Sequence, residues 1–149
     1  MDNKIAYCGL YCGACKIFID TSRNNLDDLV KETRIPEDYL RCEGCRSGKI
    51  NLCCMNCGIS RCCSKKNIDT CVECEEFPCP VLVAFDTDQY PHHNGVIESL
   101  KKLAEVGPDN WLKFQNEKWS CKNCGTPFHW YQSTCESCNA LVSGYKAPT

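Results

Sequence analysis

Two Cys-x-x-Cys pairs near the end of the chain, Cys121-Lys-Asn-Cys124-Gly125 and Cys135-Glu-Ser-Cys138-Asn139, can give four thiolates to one metal ion. Zinc takes four soft ligands in a tetrahedron, and each tight Cys-x-x-Cys turn presents two of them. The residue after the second cysteine of such a turn often adopts a left-handed conformation, which suits Gly125 and Asn139. The ten residues between the pairs, with Phe128, Trp130 and Tyr131 among them, are expected to form a small β-hairpin and so a short zinc ribbon. A rubredoxin-like iron site is the competing chemistry. Four cysteines complete the shell, so His129 is expected on the hairpin surface.

A denser set of thiols precedes it. Thirteen cysteines lie between Cys8 and Cys79, none in the next 41 residues, and four more between 121 and 138. Cys8-x3-Cys12-x2-Cys15 has the spacing that anchors a four-iron cluster in radical enzymes, but too little chain follows to build their barrel, and a zinc loop is the favoured reading. Cys12-Gly-Ala-Cys15 also has the form of a redox dithiol, without the strand and βαβ context which that chemistry needs. Cys42-x2-Cys45, Cys54-x2-Cys57, Cys57-x4-Cys62 and Cys71-x2-Cys74-x4-Cys79 supply further ligands. The adjacent pairs Cys53-Cys54 and Cys62-Cys63 point in different directions, so one of each is a spare or serves another site. Spacing does not decide which pairs share a metal. Cys79 precedes a helix begun by Pro80, where exposed N–H groups favour a thiolate, so it reads as a ligand or, less readily, a reactive thiol. His92 and His93 are candidates for a mixed site, against the plainer reading of a surface turn.

These ligands need elements to hold them. Leu26, Leu29 and Val30 predict a helix over residues 24–33, ended before Pro36. Residues 41–66 are dense in cysteine and glycine and are expected to be metal loops. Pro80 can open a short helix through Asp86. Val96, Ile97, Leu100, Leu103 and Ala104 form a helical stripe after the turn at residues 91–95, with Asn94 as N-cap and Gly107 as C-cap. Asp109 is expected to cap a second helix whose Trp111, Leu112 and Phe114 pack against the first. The expected fold is a small, metal-stabilised α+β protein with three parts: a cysteine-rich body over residues 1–79, a helical hairpin connector over 80–119 packed on it, and a zinc ribbon over 120–149.

Composition supports a metal-built fold. Of the 149 residues, 17 are cysteine, while Leu, Ile, Val and Phe together number only 30. So thin an apolar core leaves much of the folding energy to cross-links. The cysteine count is odd and residues 1–7 form no hydrophobic signal core, so a reducing cytoplasm and metal ligation are expected rather than disulfides. No stretch is long and apolar enough for a membrane span. The net charge of −2 excludes a general polyanion binder.

The runs Tyr7-Cys8-Gly9-Leu10-Tyr11-Cys12-Gly13-Ala14-Cys15, Cys42-Glu-Gly-Cys45-Arg46, Cys57-Gly-Ile-Ser-Arg-Cys62 and Cys71-Val-Glu-Cys74-Glu-Glu-Phe-Pro-Cys79 together resemble a family of uncharacterised cysteine-rich prokaryotic proteins, catalogued as a domain of unknown function. The resemblance implies a bacterial or archaeal source and zinc binding. It transfers no reaction and no catalytic residue, and Cys53, Cys54 and Cys63 fall outside its pattern.

The function expected is that of a structural-zinc protein holding several ions, acting as a protein- or nucleic-acid-interaction module. The alternative is an iron–sulfur redox or sensor protein. Residues 41–66 carry Arg41, Arg46, Lys49, Arg61, Lys65 and Lys66 against Glu43, a basic stretch suited to phosphates or to offsetting thiolate charge. No Ser/His/Asp series, phosphate loop or paired carboxylates point to an enzyme.

Overall fold

A computed structural model describes residues 1–149. Its regular structure is helical: α1 (Lys16–Ser22), α2 (Asp27–Thr33), α3 (Glu37–Leu40), α4 (Gly58–Lys66), α5 (Pro80–Asp86), α6 (Val96–Val106) and α7 (Pro108–Lys118), with single 3-10 turns at Cys12–Ala14 and Cys71–Glu73. Strand pairing is confined to three isolated antiparallel bridges, Ile5 with Tyr11, Ser120 with Pro127 and Thr134 with Leu141. The expected hairpin between the terminal cysteine pairs is therefore replaced by one bridge closing each pair. Pro127 lacks an N–H for a ladder, and the Trp130 amide donates instead to Ala14 O at 3.0 Å, tying this segment to the body.

Helix boundaries follow local chemistry. Asn24 has a φ of 52° and stands outside the helix, which begins at Asp27. Residues 41–66 are not all loop, since α4 occupies the last nine of them. Its Ile59 and Cys63, four residues apart, form a buried stripe, and left-handed Asn67 ends it. Pro80 opens α5 with Cys79 at its N-cap. Gly95, not Asn94, is the N-cap of α6, while the Asn94 side chain donates to Asp86 O at 2.8 Å and so holds the preceding turn. Gly107 ends α6 and also begins α7, leaving Asp109 in the first turn, where its charge suits the helix dipole.

One buried cluster joins Ile5, Tyr11 and Ala14 near the N-terminus, Ile59 and Cys63 of α4, Leu82 of α5, Leu100 and Leu103 of α6, Trp111 of α7, and Trp119 and Phe128 beyond it. Trp111 is 1% exposed, donates its indole N–H to Ser99 O at 3.2 Å and meets the Tyr11 ring edge-on. Phe114, expected beside it, is 57% exposed. Positions 111 and 114 lie about 60° apart around a helix; the buried face runs through Trp111 and Gln115, and Phe114 stands at its solvent edge. Gly9, at φ 87°, lies directly under α6: a Cβ there would stand 2.6 Å from Leu100 Cγ. No helix is long and apolar enough to cross a membrane.

Candidate metal centres

The terminal cysteines converge. The Sγ atoms of Cys121, Cys124, Cys135 and Cys138 all lie within 4.8 Å of one another. The Cys121–Cys138 and Cys124–Cys135 separations are 3.6 and 3.5 Å. A zinc tetrahedron with bonds of about 2.3 Å has sulfur–sulfur edges of roughly 3.8 Å, so this group could hold a metal ion with little adjustment. The two turns repeat one design. Gly125 N donates to Cys121 O at 2.8 Å and Asn139 N to Cys135 O at 3.0 Å. Cys121 N and Cys135 N donate to Thr126 O and Ala140 O. Gly125 (φ 76°) and Asn139 (φ 58°) are both left-handed, the conformation their residue types predict.

Cys124, Cys135 and Cys138 ionise unequally. The Thr126 hydroxyl and amide hold Cys124 down to about 6. The Asn123 side chain and the Ala140 amide lower Cys138. Against the Ser137 amide, which lowers it, burial and hydrogen bonding with Cys124 and Cys138 push Cys135 up to about 11. Such a set ionises completely only when a cation offsets the mutual repulsion of its sulfurs.

The body gathers its thiols more loosely. Cys12, in the first 3-10 turn, lies near enough to Cys45, Cys15, Cys8 and Cys42 to feel their charge. Cys15, the N-cap of α1, faces Cys42 and Cys54, and Cys54 in turn faces Cys42 and Cys57. Cys8 faces Cys45 and Cys57. Seven of the expected ligands thus share one region. Burial first, and neighbouring thiolates next, push Cys8 up to about 12 and Cys12 well above its ordinary range. Burial likewise raises Cys45, and brings Cys15 and Cys54 to about 11. Only in the terminal group, however, do three or more such ligand atoms stand within 4.8 Å of one another.

The family model for DUF3795, described as a protein of unknown function, matches residues 4–84. The chain belongs to this family. No curated protein and no solved structure matches it. All thirteen body cysteines of this DUF3795 chain fall in the matched segment, while α6, α7 and the terminal group lie beyond it.

A third grouping lies at the far end of the DUF3795 segment. Cys63 Sγ stands 3.6 Å from Cys71 Sγ, with Cys74 and Cys79 nearby. Lys66 Nζ donates to Cys74 Sγ at 3.1 Å. Burial raises the pKa of both Cys63 and Cys71. Cys62, the expected ligand, is exposed, and Cys63 takes the inward position. The pairing of Cys63 with Ile59 on one helical stripe was the signal in the sequence that could have shown this. Cys53 and Cys54 are exposed as well.

The two adjacent histidines are engaged elsewhere. His92 stacks on Trp130 at 4.2 Å and shares a hydrogen bond of 2.5 Å with the Tyr131 hydroxyl. His93 stacks on Phe85 at 3.9 Å and bonds Asp88 at 2.6 Å. His129 is half-buried rather than a surface residue, and its Nδ1 accepts the Tyr131 amide at 3.2 Å.

Of the six cations in residues 41–66, four have protein partners, and only Arg46 is engaged in the interior. Arg46 donates to Ile5 O at 2.7 Å, also reaches Asp69 O, and lies 4.2 Å from the centre of the Tyr7 ring. Arg41 pairs with Glu37, Lys66 with Glu76, and Arg61 bonds Asn56.

Proposed function

We propose that this chain is a structural-zinc protein: one ion is held by Cys121, Cys124, Cys135 and Cys138, and further metal by the body cysteines. The observation that carries the reading is the convergence of four sulfurs, from two equivalent turns, at nearly the edge length of a zinc tetrahedron. In the body, Cys8, Cys12, Cys15, Cys42, Cys45, Cys54 and Cys57 form the larger ligand set, and Cys63 joins Cys71, Cys74 and Cys79 in a second, in place of Cys62. Bound metal supplies folding energy that the apolar core lacks, and keeps buried thiols ionised.

The role that fits such a framework is an interaction module, with protein favoured over nucleic acid as the partner. Arg46, Arg41 and Lys66 are already engaged, which leaves half of the six cations of that stretch for phosphates.

One observation favours iron–sulfur chemistry in the body. Its thiols face one another without any three closing to a one-ion tetrahedron. A four-iron cluster carries its cysteines on separate irons, so its ligand sulfurs stand farther apart than those on one ion.

Metal analysis and visible absorption of anaerobically purified full-length protein test both readings. Colourless protein with zinc in excess of one equivalent, one of which is lost in Cys124→Ser/Cys138→Ser, supports the zinc reading. Visible absorption that bleaches on reduction and survives the double substitution assigns the body to iron–sulfur. Less than one metal per chain sinks both.

A further inference from the structure

A cleft of about 270 Å³ opens where the body, α6, α7 and the terminal segment meet, and no cysteine lines it. All three tryptophans of the chain, Trp111, Trp119 and Trp130, form its walls. Tryptophans buried together are most simply core, and Trp111 behaves as core: its ring is enclosed and its indole N–H is spent on Ser99 O. Core packing does not account for the polar groups beside it.

Gln115 is only 8% exposed and lines the cleft one turn beyond Trp111, yet its side-chain amide bonds no protein group. No buried side-chain nitrogen or oxygen is both sealed from solvent and unpaired, so the accessible part of this amide is at the cleft. The indole N–H groups of Trp119 and Trp130 also lack protein acceptors, although Trp119 is 4% exposed. Polar groups without protein partners on residues lining one cleft suit a ligand pocket, and this volume, just below the usual range of such sites, suits one or two rings.

Charge at the rim narrows the ligand class. Glu98 is paired with Lys101 at 2.6 Å, and Lys102 with Glu105 at 3.0 Å. Lys118 has no carboxylate partner; its Nζ lies 5.4 Å from the centre of the Trp119 ring. The one lining charge without an ion-pair partner is therefore a cation. A quaternary ammonium guest, which aromatic cages otherwise favour, would meet the unpaired Lys118.

We propose that this cleft binds a small, flat aromatic or heteroaromatic anion, its ring against the tryptophan walls, its polar ring substituents at the Gln115 amide and its acid group toward Lys118. An aryl carboxylate and a nucleoside monophosphate share this chemistry.

The three tryptophan indole N–H resonances of 15N-labelled, metal-loaded full-length protein report on the cleft directly. The titrants are 4-hydroxybenzoate, adenosine monophosphate and, as the cationic control, choline. One of the two anions should move the Trp119 and Trp130 signals more than that of Trp111, with saturation by about 1 mM, and the identity of that anion distinguishes the sources. Lys118→Gln, at an exposed position, should weaken the binding by roughly tenfold with an otherwise unchanged spectrum. Gln115→Leu should weaken it as well. The proposal is overturned if neither anion gives a saturable shift, if choline shifts the same signals as strongly, or if Lys118→Gln leaves the affinity unchanged.

Discussion

The Sγ atoms of Cys63 and Cys71 lie 3.6 Å apart, the same separation as Cys121 and Cys138 in the terminal group. One thiol comes from the buried stripe of α4 and the other opens a 3-10 turn capped by Thr70, whose amide is held by Glu73. Two independently positioned elements thus deliver sulfurs at the spacing of a metal-site edge.

Cys63→Ser should therefore lower bound metal by about one equivalent, whereas Cys62→Ser should leave it unchanged. Metal stoichiometry of the two purified variants decides between them. Loss of metal from Cys62→Ser alone would show that the exposed thiol is the ligand.

Metal removal should affect stability more than any single apolar substitution. Chelation under reducing conditions should abolish cooperative unfolding of residues 8–79, followed by hydrogen exchange. Unchanged protection after verified metal loss would show that the apolar cluster suffices.

Trp111 and Phe114 should respond differently although three residues apart. Trp111→Ala opens a cavity beneath α6 and should cost roughly 3–5 kcal/mol, while Phe114→Ala should stay within about 0.5 kcal/mol. Urea unfolding of both variants provides the comparison. A stable Trp111→Ala would remove that ring from the core.

His92 gives the pH dependence a definite sign. Burial, and then the neighbouring His93, hold its pKa down to about 4, with Asp88 opposing. The unfolded chain takes up a proton near the ordinary value of about 6.5, so the folded state loses stability as pH falls from there toward 4 and loses no more from this group below it. His92→Gln should flatten that segment of the stability–pH curve by up to about 1 kcal/mol per pH unit, the ring being half-buried. Measuring wild type and variant in parallel separates this from acid release of metal. Parallel curves would refute it.

Local chemistry was legible in the sequence wherever a few adjacent residues determine it. The two terminal turns, with Gly125 and Asn139 in left-handed conformations, and the Pro80 start of α5 are of this kind. What depended on tertiary partners was not. Arg46 read as one cation of a basic stretch because nothing in its neighbourhood announces Ile5 O and Asp69 as its acceptors. The cysteines around α4 hid an amphipathic stripe, since cysteine is itself an apolar residue and was counted there only as a ligand. Gln115 and Trp119 drew no attention because a cleft between distant segments leaves no mark in spacing.

Gly9 belongs to the cysteine run, yet what sits on it is Leu100, outside the DUF3795 match. Its carbonyl accepts the Ser99 hydroxyl at 3.0 Å, Ser99 O accepts the Trp111 indole, and Tyr11 completes the ring with an edge-on contact to Trp111. The loop between Cys8 and Cys12 is thus a wall of the cleft. Thermodynamic reciprocity governs two sites that share a wall: whatever factor ligation of that loop applies to occupancy of the cleft, occupancy applies back to ligation. Comparing metal affinity with the cleft empty and filled measures that factor from one side, and cleft affinity with and without metal must return the same value from the other.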